Sequence, residues 1–458
     1  MMSFPRRLRP LLLTAVSALG LMAASPNDTE TLEEALVESY SSNPGLLAER
    51  ARLRATDEEL AQANAGWRPR VTINGSASKA EDYTNDITSD SWNAEISATQ
   101  PLYEGGRVGA QRDIAKALIR AGRANLAGVE SNTLLSAVQA YMNVVRDIAL
   151  VELSRNQIDV LNRQRQASQD RFDVGEITRT DVAQAEAALS GARTSLIAAQ
   201  AQLEASRAAY VRIVGHAPGK LQAQPKLPPL PASLDEAIES ALRLNPSLVA
   251  ARENQLASEA GVDLAIGGLL PSVNVTASYS KGETNTDAIL GIDRESEAGS
   301  IGIGASVPLY QGGAEYSSIR QAKQTNSQNR LLATLGERQA VEAVTNAWEG
   351  LAAARASIVS AEEQVNASEI AYEGVRQEAE VGARTTLDVL NAEQEVINAR
   401  INLVSAEHDH VLASYELQAA IGKLTARNLG LAGPYYDAGE NYRRVKNKWI
   451  GTDVETVE

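Results

Sequence analysis

The sequence predicts a mainly α chain of duplicated long antiparallel helical hairpins, with four added β-strands patterned like part of a membrane barrel. Three observations predict this. First, residues 107–174 contain no proline, and the next proline after Pro101 is Pro218. At ~1.5 Å per residue they give roughly 100 Å of helix, which is stable only beside other helices. Second, the stretch recurs: Arg107–Val174 maps onto Ala314–Val381 at a constant shift of 207 residues. The same shift links Pro101-Leu102-Tyr103 to Pro308-Leu309-Tyr310, Gly105-Gly106 to Gly312-Gly313, Val174-Gly175 to Val381-Gly382 and Asp181-Val182 to Asp388-Val389. Third, each copy is preceded by segments whose apolar residues alternate with period two.

Composition agrees. Aromatics are 4% of 458 residues, and Ala, Gln, Glu, Arg and Leu dominate, as in long helices. Arg6, Arg7 and Arg9 precede the apolar run Leu11–Ala24, with small residues at Ala23, Ala24 and Ser25. This reads as a signal peptide, residues 1–25, because ~14 apolar residues fall short of the ~20 a spanning helix needs. Without its arginines the net charge falls from −15 to near −18, which excludes nucleic acid as a partner. No other apolar run of spanning length is read, so the mature chain is expected to be soluble outside the cytoplasm or a β-barrel. Cysteine is absent, which removes disulfides, thiol catalysis, thiolate metal sites and a lipidated cysteine.

In order, the first repeat (26–217) opens with an amphipathic helix over Thr31–Tyr40. Asn43-Pro44 breaks it, and a second helix runs to about Gly66 before Pro69. The second repeat (233–422) copies this at a shift of 202, as Ser233–Leu244, Asn245-Pro246 and a helix to Gly267-Gly268 before Pro271. Two strands are predicted within 70–102 and two within 271–309, each of about ten residues. Their apolar faces are Val71, Ile73, Gly75, Ala77 with Trp92, Ala94, Ile96, Ala98, and Val273, Val275, Ala277, Tyr279 with Ile301, Ile303, Ala305, Val307, Leu309. The other face carries Thr72, Asn74, Ser76, Asn93, Glu95 and Ser97. Polar loops are expected over 80–91 and 281–299. The pattern fits a transmembrane barrel or a small soluble sheet. A membrane barrel needs about eight strands or more, so four must be completed by other chains, and three chains would give twelve.

The helical hairpins are predicted over 107–215 and 314–422. Seven-residue spacing joins Val182, Leu189, Leu196, Leu203 and Tyr210, with Ala185, Ala192, Ala199, Ser206 and Ile213. It recurs in Val389, Val396, Leu403, Leu417 with Ala392, Ala399, Ala406, Ala413, Ala420, and in Leu351, Ile358, Val365, Tyr372 with Ala354, Ala361, Ser368, Val375. This spacing imposes a left-handed supercoil. A linker (218–232) holds Pro218, Pro225, Pro228, Pro229 and Pro231, and residues 423–458 form an irregular C-terminal segment with a mobile acidic end.

Nothing in the sequence has the pattern of a catalytic centre, and no cofactor is expected. His216, His408 and His410 are the only histidines, and the last two are too close in sequence to share a helix face, so no metal site is expected. The Gly-Gly pairs lack the Gly-Lys-Ser/Thr of a phosphate loop and mark strand-to-helix joints instead. Once the leader is removed, Met142 alone remains, which argues against a methionine relay for copper or silver. Asp388 lies three residues past Thr385, as Asp181 does past Thr178. That is capping-box spacing with Asp for Glu. Three symmetric copies of the chain would also gather three Asp388 carboxylates into an anionic ring, with repulsion raising their pKa.

The duplicated Asn-Pro, the segments Gln100–Gly106 and Val307–Gly313, and the tips, above all Val381-Gly382-Ala383-Arg384-Thr385-Thr386-Leu387-Asp388-Val389-Leu390-Asn391-Ala392, resemble the TolC family of outer-membrane channels over about residues 30–450. The resemblance implies a homotrimer in the outer membrane of a Gram-negative bacterium, with a twelve-stranded barrel and a periplasmic helical tunnel. A periplasmic adaptor and an inner-membrane transporter, most readily of ABC type, would complete the duct. It implies a constriction at Asp388 and Asn391, a closed-state latch of Arg384 with Thr180 and Asp181, and adaptor docking at Val174, Gly175, Val381 and Gly382. Glycine at those tips also simply ends a helix. Asn391 stands where a second constriction Asp is expected, and Ala379 where a Tyr would join the latch, so a less acidic ring and a weaker latch are expected. The tail Asn441-Tyr442-Arg443-Arg444-Val445 with Trp449-Ile450-Gly451 looks like members serving type I protein secretion. Small-molecule efflux is the alternative within the family, and a periplasmic coiled-coil scaffold the alternative outside it.

Overall fold

The computed structural model describes residues 29–84, 87–287 and 292–454. The expected leader, the turns joining each strand pair and the acidic end of the tail lie outside the described residues. The chain runs α1 (Leu32–Ser42), α2 (Pro44–Ala65), β1 (Arg70–Asp82), β2 (Ile87–Glu104), α3 (Arg107–Asp173) and α4 (Arg179–Val214). The order then repeats as α5 (Leu234–Leu244), α6 (Pro246–Gly267), β3 (Ser272–Asp287), β4 (Ile292–Ser306), α7 (Ala314–Glu380) and α8 (Thr386–Ile421). Two short helices, α9 (Ala426–Leu429) and α10 (Glu440–Val445), follow.

Local chemistry sets these boundaries. The long helices α3 and α7, of 67 residues each, start after Gly106 (φ 76°) and Gly313 (φ 85°). Left-handed backbone lets the chain swing from β2 into α3 within two residues, whereas seven residues separate β4 from α7. At the first joint, a side chain on Gly105 would lie 2.4 Å from the Gly267 carbonyl oxygen. The duplicated Asn-Pro does more than break a helix. The Asn43 and Asn245 side-chain oxygens cap α2 and α6, and proline at the first helical position forfeits no hydrogen bond. Their amide nitrogens meanwhile donate to the Ile213 and Ala420 carbonyls at the ends of the return helices, at 3.2 and 3.0 Å.

The return helices α4 and α8 have 36 residues each, so at ~1.5 Å per residue they accompany just over half of α3 and α7. The remainder is flanked by the 22-residue α2 and α6. The predicted stripes are buried on α4 at Val182, Ala185, Leu189, Ala192, Leu203, Ser206, Tyr210 and Ile213, and on α8 at Val389, Val396, Ala399, Ala406, Ala413 and Leu417. On α7 the stripe is buried at Leu351 and Ala361, and its other six members are half-buried. The repeats are equal in sequence but not in place. α3 is packed by α2, α4, α6 and α8, whereas α7 flanks the chain and leaves Leu331 and Ile370 about 70% exposed.

One stretch of α3 is long and apolar enough to cross a membrane, which corrects the reading that none follows the leader. The helix's apolar centre, from Leu134 to Val144, is buried against α1 and α4 as the main core of the molecule, so packing explains it.

The sheet has the order β1-β2-β3-β4, antiparallel throughout, and the β2–β3 ladder joins the two repeats. The strands have 13, 18, 16 and 15 residues, more than the predicted ten. Residues expected in loops, such as Ala80 to Asp82 and Ile87 to Ser91, continue the ladder, as do those up to Asp287 and from Ile292. Backbone pairing needs no apolar side chain, so hydrophobic alternation reports only the apolar-faced part of a strand. β4 stops at Ser306, short of the predicted 309, while its counterpart β2 continues to Glu104 against β3. β4 is an edge strand and has no such neighbour among the described residues.

The C-terminal segment is irregular apart from α9 and α10 and packs against the body of the chain. Asn441 Nδ2 donates to Asp57 Oδ2 at 2.9 Å, Arg68 Nη1 donates to the Lys448 carbonyl at 2.8 Å, and the Arg68 guanidinium lies over the Trp449 ring. The tail therefore follows α2.

Candidate channel wall and periplasmic gate

The ladder registers sort the sheet into two faces. Ile73 faces Ile96, Ile96 faces Tyr279, and Ala277 and Val275 face Ile301 and Ile303. Ile73 and Ile301 are about 80% exposed, so nothing among the described residues covers this face there. The opposite face carries hydroxyl pairs across each hairpin: Thr72 with Ser97 (2.8 Å), Ser78 with Ser91 (2.8 Å) and Ser278 with Ser300 (2.9 Å). One face suits hydrocarbon and the other suits water. The outer edges of β1 and β4 lack partners among the described residues, and edges this long demand them.

At the far end of the helices lie the two tips. Val174 and Val381 cap α3 and α7, about 80% exposed, and are followed by Gly175 (φ 81°) and Gly382 (φ 79°). Both capping boxes form. Thr385 N–H and hydroxyl donate to Asp388 Oδ2 at 2.9 and 2.8 Å, and Thr178 does the same to Asp181 Oδ2 at 2.9 and 2.7 Å. The backbone and hydroxyl donors of Thr385 hold the Asp388 carboxyl below its ordinary value. For Asp181 the Thr178 hydroxyl leads, and its backbone N–H adds to the same effect. Within one chain, then, Asp388 is lowered, opposite in direction to the repulsion expected of a ring.

The chain does not bring the predicted latch together. Arg384 Nε donates to Glu378 Oε2 at 2.7 Å, while Asp181 is engaged by Thr178. The other tip has a matching pair, Arg171 with Glu176 at 2.5 Å. Arg171 and Glu378 occupy equivalent repeat positions, whereas Glu176 corresponds to Ala383 and Arg384 to Ile177, so the helix-borne charge is opposite in the two tips and its partner sits one residue further along the second turn. Asn391 is exposed, one turn beyond Asp388, and the Ala379 carbonyl accepts from Gly382 N–H.

Three features escaped the sequence. The linker is pinned as a strap: Gln222 N–H donates to the Tyr141 hydroxyl at 2.8 Å, Tyr415 donates to the Lys226 carbonyl at 3.1 Å, and Tyr210 donates to Glu30. Glu378 is the arginine's partner. Glu393 is buried on α8. It lies four residues after Val389 and three before Val396, so a charge on the apolar stripe was the readable signal. His408 is held by Asn143 and Asp409, burial and then Arg355 lower the His410 pKa, and the described residues contain no metal-binding cluster.

Residues 35–216 and 237–423 match the family described as Outer membrane efflux protein. The chain belongs to this family, the TolC family. Outer membrane efflux protein BepC of Brucella suis biovar 1 is 38% identical over 428 residues, 92% of each chain. Alkaline protease secretion protein AprF of Pseudomonas aeruginosa is 27% identical over 371 residues, 79% of this chain and 76% of AprF. The Campylobacter jejuni CmeC outer membrane channel superposes with a TM-score of 0.76 at 16% identity over 97% of both chains, a likeness of fold. This TolC-family chain is therefore an outer-membrane efflux channel, a passive conduit and not an enzyme. Its four strands are its share of a trimeric barrel, and its hairpins its share of the periplasmic tunnel. The periplasmic scaffold alternative is overturned by the family match.

Proposed function

We propose that this TolC-family channel is the exit duct of a tripartite export system and serves type I protein secretion. One observation carries the duct reading. An open sheet with one apolar and one hydroxyl face runs through glycine joints into two helices of 67 residues. Three copies would pair β4 with the next β1 and close a twelve-stranded wall around a water-filled axis. Energy comes from an inner-membrane transporter of ABC type, reached through a periplasmic adaptor seated on Val174-Gly175 and Val381-Gly382. Asp388 and Asn391 form the constriction. Arg384 latches it to Thr180 and Asp181 of the adjacent tip when it exchanges Glu378 for them.

Two observations support protein cargo: the likeness to AprF, a protein named for protease secretion, and the tail of Asn441-Tyr442-Arg443-Arg444-Val445 with Trp449-Ile450-Gly451, which resembles that of type I secretion members. A second reading, small-molecule efflux, is favoured by the 38% identity to a protein named for efflux. Deleting the gene separates them. Loss of a protein from the culture supernatant with unchanged drug sensitivity supports secretion, and drug sensitivity with an unchanged supernatant supports efflux.

A further inference from the structure

We propose that Glu393 makes the seam between the two helical hairpins of each chain sensitive to pH, so that acid holds the seam shut and rising pH loosens it. The proposal rests on the gated-duct reading above. Glu393 sits on α8 a little over one turn beyond Asp388 and is 6% exposed. Neither carboxylate oxygen has a hydrogen-bond partner among the described residues. At this level Leu161 of α3, Leu189 and Ala192 of α4 and Leu390 of α8 form one apolar cluster that joins the first hairpin to the second. Beside it, Gln157 Nε2 of α3 donates to Gln394 Oε1 of α8 at 3.2 Å. Glu393 is thus buried where the second hairpin must part from the first for the tip to open.

The groups facing it are few. From α3 the charged group is Arg163, and from α7 the titratable group is the Tyr372 phenol, itself raised by burial and so neutral. From α4 the residues at this level are the apolar Leu189 and Ala192. Burial pushes the Glu393 carboxyl up to about 7, and Arg163 offsets this only in part. An ionised carboxylate without hydrogen-bond donors must either bind a proton or reach water. Here water is reached by separating the hairpins. The sign follows from linkage. The packed seam binds the proton more tightly than the open seam, where the carboxyl has its ordinary 4.5. The stabilisation is complete below 4.5 and is lost as pH rises through about 7. Across that window the closed-to-open ratio changes by at most roughly 300-fold per seam.

The test uses the purified trimer in lipid nanodiscs. The chain has no cysteine, so cysteines placed at Gln166 on α3 and Glu395 on α8 can be spin-labelled without background. The interspin distance is expected to lengthen from pH 5 to pH 8 in the parent and to stay short in Glu393→Gln. Glu393→Leu, which also removes the charge, should behave as Glu393→Gln does. Conductance in planar bilayers, recorded in an Asp388→Asn background to silence the tip carboxyl, should rise about threefold or more over that range in the parent and stay flat in Glu393→Gln. A channel that conducts while its seam ignores pH overturns the proposal and leaves the duct intact, as does a Glu393→Gln seam that follows the parent. A protein that conducts at no pH overturns the duct reading as well.

Discussion

Arg384 is bonded to Glu378 at 2.7 Å, across the turn of its own hairpin. A guanidinium has donors to spare, yet both residues are about half exposed, so the pair is easily exchanged. If Arg384 closes the tunnel by reaching Asp181 of a neighbouring tip, Glu378 is its competitor. Arg384→Ala should then raise single-channel conductance, and Glu378→Ala should lower it. An Arg384→Ala channel no larger than wild type would count against the latch.

The Asp388 carboxyl is held low by Thr385. The sign is that of a lowered carboxylate: it stays ionised as pH falls and gains its proton only below its ordinary value of 3.8. Block of the pore by periplasmic Mg²⁺ should therefore persist at pH 5. Asp388→Asn should weaken the block about tenfold or more, as removal of a ring of charges does. Block that vanishes between pH 7 and 5 would show that repulsion in the ring overrides the cap.

The Tyr141 hydroxyl is fully buried and accepts from the Gln222 N–H of the strap. Tyr141→Phe leaves that donor unpaired, at a cost of about 1–3 kcal/mol. The thermal midpoint of the detergent-solubilised protein should fall, with conductance unchanged. An unshifted midpoint would show that water replaces the hydroxyl freely.

The internal repeat also sets the register between copies. β2 pairs with β3 so that Ile96 faces Tyr279. Carrying β2 to β4 by 207 and β3 back to β1 by 202 places Ile303 opposite Ala77 of the next copy. Cysteines at Ile303 and Ala77 should cross-link the subunits into a ladder on a denaturing gel. Cysteines at Ile303 and Ser78, on opposite faces, should not.

Much of this molecule was legible because its signals are local and occur twice. Proline-free runs, glycine pairs and seven-residue spacing each act over a few residues, and the second copy tests the first. What stayed hidden was relational. The extended strand ends carry polar side chains, so only the ladder reveals them. The partner of Arg384 depends on which carboxylate the turn brings near. The strap is fixed by tyrosines far away in sequence: Tyr141 and Gln222 have no pattern in common until α3 is folded beside the linker.

The sequence by itself determined two repeats, their helices and strands, the caps at Thr178 and Thr385 and the apolar stripes, because propensity, capping and side-chain period are properties of neighbouring residues. Tertiary structure alone decided that α3 lies at the centre and α7 at the flank, that Glu393 is enclosed without a hydrogen-bond partner among the described residues, and that Arg384 takes Glu378 as its partner. Those outcomes depend on which surfaces meet. Two copies of one pattern cannot both occupy the middle of a chain, so equal sequences acquire unequal surroundings.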